Sequence, residues 1–302
     1  MNSQHSALNA HLIETHAHLD YPDFAGDLDE VIQRAAEHGV TRIITIGTSV
    51  ESSRRAIALA EKYPNVFAVV GVHPTSDVVE DDVITPLRQL AKHPRVVAIG
   101  ETGLDYHSLP SMRAAVDRKV QVFTALQGET EEQIDASIED GAVKSKQAML
   151  FEEQLDLAVE LGLNVVVHQR DAWRDTLDIL QSYTGRLRGV FHCFGGTREQ
   201  ADEVLGLGHL VSFTGIVTFK NGAAVREVAA QIPLEKFMVE TDCPYLAPVP
   251  FRGKRCEPAY TRIVAEEIAG ARGIPLQPLA EATTQTAEGF FRLPDVIPSG
   301  AE

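Results

Sequence analysis

The sequence predicts an α/β protein of the (β/α)8 TIM-barrel class, with an insertion after the fourth strand. Eight short β-rich runs alternate with amphipathic helical patterns, and the runs are apolar along most of their length. Strands that are apolar on both faces pair in parallel and are covered by helices. Eight strand–helix units match a barrel better than a doubly wound sheet, which usually has fewer strands and a Gly-rich first turn.

The predicted strands follow one another along the chain with helical patterns between them. They lie at 11–16, 41–47, 66–73, 96–101, 164–168, 189–194, 209–215 and 236–242. The helical patterns are amphipathic, as in "DLDEVIQRAAEHG" after the first strand and "REQADEVLGLG" after the sixth. Several of them end in Gly or Pro, which is typical of helix C-termini. We therefore expect residues 1–302 to form a single barrel domain.

One connection is much longer than the others. From Glu101 to His168 the chain advances 67 residues, whereas loops in such units are usually about 2–6 residues long. The excess lies at about 107–147 and includes a helical pattern near "MRAAVDRKVQVFTALQ" and the acidic stretch "GETEEQIDASIEDG". Because it leaves the C-terminal end of a strand, we expect an extra segment on the active-site face. A lid, an oligomer contact and a mobile excursion all fit this pattern.

The chain is acidic, with 27 Lys and Arg against 43 Asp and Glu and a net charge of −16. This balance argues against broad electrostatic binding to nucleic acid, whose affinity comes largely from Lys and Arg. A phosphate-bearing substrate would therefore need a local source of positive charge.

Cellular location is predicted from the cysteines and from the first residues. The three cysteines form no CxxC pair, and the opening "MNSQHSALNA" has neither the basic nor the apolar region of a secretory signal. No apolar run approaches the ~18 residues that a membrane span requires. We expect a cytoplasmic protein with reduced thiols and no membrane contact.

Residues that could bind a metal stand at the C-terminal ends of six predicted strands. A barrel gathers these ends on one rim, so side chains far apart in sequence converge there. These residues are His16 and His18 at the first strand, His73 at the third, Glu101 at the fourth, His168 at the fifth, His192 at the sixth and Asp242 at the eighth.

Six of these side chains, all except His73, form a plausible ligand set of four imidazoles and two carboxylates. The set suits Zn²⁺ or Mn²⁺, with Mg²⁺ as a third candidate at the more oxygen-rich position. Six ligands exceed what one catalytic ion takes, so we expect two divalent ions, with Glu101 able to bridge them at roughly 3.5–4 Å. Such a pair lowers the pKa of a shared water toward about 7 and makes hydroxide available at neutral pH. The ions would also attract an anionic phosphodiester to an acidic protein.

The remaining candidates concern substrate and proton transfer. Asp242, oriented by its metal contact, is the expected proton acceptor, and His73 is a substrate contact or lies behind the ligands. Four basic residues are candidates for gripping phosphate, although each could equally be an ordinary solvated charge: Arg170, Arg252, Lys254 and Arg255. Cys193 and Cys243 each follow a predicted ligand directly, so we expect them to point away into the core.

Six ordered motifs carry a resemblance to a known family. They are "ETHAHLD", "GVHP", "IGETGLDY", "VVHQRDA", "FHCFGG" and "ETDCPYLAPVPFRGKRCEPAY". Together they resemble the TatD family of metal-dependent deoxyribonucleases, within the amidohydrolase-type barrels. The match extends from residue 12 to the closing "TTQTAEGFFRL".

The resemblance implies a TIM barrel with a two-metal site and hydrolysis of DNA phosphodiester bonds in the cytoplasm, often with 3′-exonuclease character. By similarity, His16, His18 and Asp242 would hold one ion, His168 and His192 the other, and Glu101 would bridge them.

The residues and the resemblance together predict a metal-dependent hydrolase that cleaves phosphodiester bonds, most simply in single-stranded DNA or at a 3′ end. One alternative is an amidohydrolase that uses the same ligands on a small-molecule amide, lactone or ester, because polarising a carbonyl and a phosphoryl group needs the same ions. A second alternative is a non-enzymatic interaction protein whose working surface is the acidic 107–147 region.

Overall fold

The computed structural model describes residues 10–76, 82–112 and 131–294, with side chains from residue 137 onward in the last range. Its strands form one eight-stranded sheet in the order β1 to β8, and all neighbours pair in parallel. The strands are β1 Leu12–Ala17, β2 Val40–Ile46, β3 Val66–Val70, β4 Val96–Asp105, β5 Asn164–Arg170, β6 Gly189–Phe191, β7 Leu210–Phe213 and β8 Phe237–Val239. The predicted (β/α)8 barrel is confirmed.

Besides a helical turn at 110–112, nine α-helices occur in the described ranges, and they alternate with the strands. They are α1 Leu28–Glu37, α2 Val50–Lys62, α3 Ile84–Leu90, α4 Glu131–Leu161, α5 Trp173–Gln181, α6 Arg198–Gly206, α7 Ala223–Gln231, α8 Thr261–Arg272 and α9 Leu276–Phe291. None of the helices in this part of the chain combines the length and the apolar character needed to cross a bilayer.

The interior of the barrel is a separate apolar cluster with side chains from every strand. Ile13, Phe67, Val190 and Met238 are among its buried members, and Phe290 of α9 belongs to it as well. Because α9 contacts β1, β8 and the turn that precedes β8, it closes the N-terminal end of the barrel. The opposite, C-terminal end is left for function, as in other barrels.

The seam between β8 and β1 is closed by the residues that follow these short strands. Ala17 and Cys243 form a parallel bridge. Asp242 N–H donates to the His16 carbonyl at 2.9 Å, and His18 N–H donates to the Cys243 carbonyl at 2.9 Å. Closing the barrel therefore brings residues of the first and last strands side by side.

The strand ends differ from the predicted ones in ways that matter for the site. The fourth strand does not end at Glu101 but continues to Asp105, with a register shift between Ile99 and Thr102 that accommodates Gly100 and Glu101. The eighth strand ends at Val239, three residues before Asp242, and the third at Val70, before His73. Pairing with the neighbouring strand, which the sequence pattern does not reveal, sets these ends.

The predicted extra segment at about 107–147 falls partly on residues 113–130, outside the described residues. From Glu131 onward the acidic stretch is helical, because α4 runs from there to Leu161. The sequence pattern did not predict a helix for this acidic stretch, so its helical conformation is a difference from the expectation. Its first turns, "EEQIDASIEDGA", contain the good helix formers Glu, Gln and Ala and have no clear apolar stripe.

Candidate metal centre

Glu101 lies at the centre of a ring of five histidines at the C-terminal end of the barrel. The carboxylate is 2% exposed, and its two oxygens face different groups of imidazoles. Oε2 lies 3.4 Å from His16 Nε2 and 3.8 Å from His18 Nε2. Asp242 joins this first group, with Oδ1 3.3 Å from His18 Nε2 and 3.7 Å from His16 Nε2.

The other oxygen of Glu101 faces the second group. Oε1 lies 2.8 Å from His168 Nδ1, 2.8 Å from His192 Nε2 and 3.4 Å from His73 Nε2. The six predicted ligands are therefore brought together, and His73 stands among them instead of behind them. A carboxylate that turns one oxygen to each group has the arrangement of a bridging ligand.

Glycines allow β4 to place Glu101 there. Gly100 and Gly103 have φ of +145° and +141°, a region that side chains disfavour. A Cβ atom on Gly103 would lie 2.0 Å from the His168 carbonyl oxygen, and one on Gly100 would lie 2.7 Å from the Val166 carbonyl oxygen. The close approach of β4 to β5 thus requires glycine on both sides of Glu101.

Two buried glutamates that the sequence interpretation missed hold the backbone beneath the ligands. Glu14 Oε1 accepts hydrogen bonds from the N–H groups of His16 at 2.9 Å and Thr241 at 3.0 Å, and thereby joins β1 to the segment after β8. Glu240 Oε1 accepts from Cys193 N–H at 2.6 Å, directly after His192. The sequence does contain a pattern that could have identified these two glutamates, because the tripeptides "ETH" and "ETD" each place a glutamate two residues before a predicted ligand.

Asp105 is a third residue that the sequence interpretation did not single out. Its Oδ2 lies 3.1 Å from His168 Nε2, while the other ring nitrogen of His168 faces Glu101. Carboxylates that hold the far nitrogen of a histidine are common around metal sites, where they fix the tautomer and the ring orientation. In the sequence, this contact corresponds to the Asp of "GLD" at the end of the fourth strand, four residues after Glu101.

The local charges keep the carboxylates ionised. Burial raises the pKa of Glu101, but the surrounding histidines, His192 and His73 first, outweigh it and hold that pKa well below its usual range. Burial and the charge of His192 lower the pKa of His16 to about 4. Burial also lowers the pKa of His18, but its contacts with Asp242 and Glu101 prevail and raise it to about 9.

The donor set fits divalent metal ions. Among the described residues, both ring nitrogens of His16 and Nδ1 of His192 are buried without a hydrogen-bond partner. Ligand atoms of His16, His18 and Glu101 lie within 4.8 Å of one another, as do those of His73, Glu101 and His168. Buried imidazoles that share carboxylates in this way are typical of Zn²⁺ and Mn²⁺ sites.

The centre lies at the floor of a cavity of about 1090 Å³. Of the four basic residues predicted to grip phosphate, Arg170 lines this cavity. The other three are placed elsewhere: Arg252 stacks on Phe219 at 3.7 Å, Lys254 lies 5.9 Å from the Phe251 ring, and Arg255 forms two 2.7 Å hydrogen bonds with Asp27.

The two cysteines beside the ligands differ from each other. Cys243 is fully buried in the core. Cys193 was expected to point away from the site, but it lines the cavity, and its φ of +49° departs from a strand conformation. Because β6 ends at Phe191, alternation along a strand does not decide where the Cys193 side chain points, and its Sγ lies 3.6 Å from Oγ1 of the buried Thr214.

Comparison with known proteins gives consistent matches along the chain. The family model described as TatD related DNase matches residues 13–292. The uncharacterized metal-dependent hydrolase YabD of Bacillus subtilis is 36% identical over 285 residues, which cover 93% of this chain and 99% of YabD. The Citrobacter rodentium relative named 3′-5′ ssDNA/RNA exonuclease TatD is 36% identical over 280 residues, which cover 90% of this chain and 95% of that relative.

A solved structure supports the same assignment. The crystal structure of YjjV, a TatD homolog from Escherichia coli K12, superposes with a TM-score of 0.78 at 29% identity and covers 94% of this chain and 99% of YjjV. A parallel barrel with histidines and carboxylates at the C-terminal ends of its strands defines a metal-dependent hydrolase barrel. With the family model matched over residues 13–292, the chain belongs to the TatD family.

Proposed function

We propose that the protein is a metal-dependent phosphodiesterase that removes nucleotides from the 3′ end of single-stranded DNA. The observation that carries the proposal is the division of Glu101 between two groups of imidazoles at the floor of an open cavity. The name of the Citrobacter relative supports a single-stranded nucleic acid as substrate. The cavity volume supports a substrate at least as large as a nucleotide, because it slightly exceeds the usual range of about 300–1,000 Å³ for ligand pockets.

His16, His18 and Asp242 would hold one divalent ion together with Glu101, and His168 and His192 would hold a second one together with Glu101, beside His73. When bound, such divalent ions lower the pKa of water and stabilise negative charge on phosphoryl oxygens.

The protein's own side chains supply proton transfer and orientation. Asp242 lines the cavity with a 15% exposed side chain, so it is within reach of water that enters. Burial raises its pKa, but contacts with His18, His16 and His192 prevail and lower it, so Asp242 is a carboxylate able to accept a proton at neutral pH. Arg170, at the end of β5, presents a guanidinium suited to a bidentate contact with phosphate.

The test is cleavage of end-labelled single-stranded DNA. Wild-type protein reconstituted with Zn²⁺, Mn²⁺ or Mg²⁺ is compared with chelated protein and with Glu101→Ala, and Glu153→Ala on the exposed face of α4 is the matched control. We expect shortening from the 3′ end by wild type and Glu153→Ala, and none by the chelated protein or Glu101→Ala. Circular dichroism checks that Glu101→Ala remains folded.

Two results would contradict the proposal. Cleavage by Glu101→Ala at the wild-type rate and with wild-type metal content would remove Glu101 from the centre of the mechanism. Hydrolysis of lactones or cyclic amides without any action on oligonucleotides would favour a small-molecule amidohydrolase.

A further inference from the structure

An exposed tyrosine stands beside the candidate metal centre. Tyr245 follows Asp242 by three residues, and its N–H donates to the Asp242 carbonyl at 3.0 Å. Its side chain is 55% exposed and lines the cavity. Few large apolar side chains of the described residues are this exposed.

Tyr245 is connected to the ligands through a row of rings. Its edge-to-face contact with Tyr21 has a centroid distance of 6.2 Å and an interplanar angle of 80°. Tyr21 in turn stacks on His18 at 4.7 Å, with an interplanar angle of 19°. The row therefore begins at a predicted metal ligand and ends at an aromatic ring that faces solvent.

The charges of the cavity leave little attraction for a polynucleotide backbone away from the ions. The described residues that line it include four carboxylates and, among Lys and Arg, only Arg170. The carboxylates are Glu101, Asp105, Asp171 and Asp242. Glu101 and Asp242 are proposed ligands of the ions, so Asp105 and Asp171 remain beside Arg170 and give no net positive charge to hold further phosphates. Affinity beyond the scissile phosphate therefore depends on uncharged contacts.

Base stacking is the uncharged contact that an exposed tyrosine offers. A base on an aromatic ring contributes about 1–3 kcal/mol to single-strand binding and does so for any base. Resting on the proposed function, we propose that Tyr245 is the stacking platform for the unpaired 3′-terminal base, so that it selects single-stranded ends. A base paired within a duplex already stacks on its neighbours and cannot present its face to the ring.

The experiment compares Tyr245 variants on two oligonucleotides that differ only in the terminal base. One ends in a natural nucleotide and the other in a 3′-terminal abasic residue, which keeps the phosphate and sugar. We expect Tyr245→Ala to lower kcat/KM on the natural oligonucleotide by about 5- to 150-fold, mainly through KM, and to leave the abasic one unchanged. Tyr245→Phe and Tyr245→Trp should retain the wild-type value, as should the nearby exposed control Val249→Ala.

A second readout needs no turnover. The fluorescence of 2-aminopurine at the 3′ end of an oligonucleotide with a terminal phosphorothioate linkage should be quenched by wild type and by Tyr245→Phe, but not by Tyr245→Ala. Quenching that survives in Tyr245→Ala would overturn the proposal.

The kinetic outcomes separate two kinds of failure. If wild type cleaves the natural oligonucleotide but Tyr245→Ala has an unchanged kcat/KM, or a kcat/KM that falls equally on both oligonucleotides, the stacking role of Tyr245 is wrong. The proposed nuclease activity is then still supported. If wild type cleaves neither, the proposed function fails and this inference fails with it.

Discussion

Glu14 and Glu240 occupy corresponding places, each two residues before a predicted ligand and each almost completely buried. Their oxygens accept backbone N–H groups where the chain leaves the sheet, and Glu240 also accepts from the Ser212 hydroxyl at 2.7 Å. Burial raises the pKa of Glu14 to about 8 and that of Glu240 to about 7. The backbone next to the predicted ligands is thus held by the carboxylate oxygens of Glu14 and Glu240, which do not themselves face Glu101.

Replacing Glu240 tests whether this support matters for the metal. Glu240→Ala leaves the Cys193 N–H without its acceptor and loosens the backbone beside His192. We expect metal affinity to fall about 10- to 100-fold, the range seen when residues behind a metal ligand are removed. Glu240→Gln keeps an oxygen for the Cys193 N–H and should recover most of the affinity. Isothermal titration with Zn²⁺ or Mn²⁺ measures both variants, and equal affinity for Glu240→Ala and wild type would contradict the role.

A histidine remote from the cavity gives a prediction about pH. His209 is 1% exposed, and its Nδ1 accepts the Gly189 N–H at 2.9 Å. Burial, with the charge of Arg188, lowers the pKa of His209 from 6.5 to about 4. The folded protein therefore binds fewer protons here than the unfolded chain. The contribution of neutral His209 to the free energy of unfolding is therefore fully present above about pH 6.5, and it is lost as the pH falls through about 4.

We expect His209→Gln to lose less stability than wild type between pH 7 and pH 4.5, by about 2–3 kcal/mol. Urea unfolding of the chelated proteins at both pH values measures the difference. His38→Gln, at an exposed position on the surface, is the control and should lose as much as wild type. An identical loss for His209→Gln and wild type would show that His209 does not titrate between these states as described.

At the scale of elements, helix α4 is joined to the strand ends through two glutamines. Gln154 Oε1 accepts the Val72 N–H at 2.8 Å, and its Nε2 donates to the Val72 carbonyl at 3.0 Å. Gln147, two turns earlier, makes the same pair of hydrogen bonds with Asp105, at 2.9 and 3.0 Å. Each amide pairs with both backbone polar groups of one residue, Val72 next to His73 in one case and Asp105 at the contact with His168 in the other.

Removing one of these amides should be costly. Gln154→Ala leaves a buried N–H and a buried carbonyl without partners, so we expect the free energy of unfolding to fall by about 2–4 kcal/mol. Gln231→Ala, which affects only an exposed contact with Glu227, should change it by less than about 0.5 kcal/mol. Chemical denaturation compares the two variants, and a similar small change in both would refute the anchoring role of Gln154.

The sequence identified elements better than it located their ends. Runs of apolar residues revealed all eight strands, because burial on both faces leaves a pattern in single residues. The seam between β8 and β1 could not be predicted from the sequence. Asp242 reaches His16 and His18 only through a backbone turn, with φ of +59° at Asp242, after a three-residue strand. The inward position of His73 and the contact of Asp105 with His168 also depend on pairing between elements, which a single sequence does not record.

At the scale of the whole molecule, an acidic chain is proposed to act on an anionic polymer. The net charge is −16, and Arg255, the most strongly paired of the predicted phosphate contacts, is held by Asp27. If the ions supply most of the attraction, few phosphates are neutralised by Lys and Arg. The salt dependence of binding should then be weak.

We expect the logarithm of the affinity for single-stranded DNA to fall with the logarithm of salt concentration with a slope no steeper than about −2. This corresponds to two or three neutralised phosphates at about −0.7 each. Fluorescence anisotropy across a salt series gives the slope. A value near −6 would indicate an extended basic groove that the described residues do not form.

A pair of divalent cations is proposed to be shared by six side chains: His16, His18, His168, His192, Asp242 and Glu101. Anomalous diffraction from crystals of the wild-type protein grown with Mn²⁺ would locate these cations. We expect two anomalous peaks, one beside each oxygen of Glu101, and their loss or weakening in Glu101→Ala crystals. Fully loaded protein with no peak within coordination distance of Glu101 would contradict it.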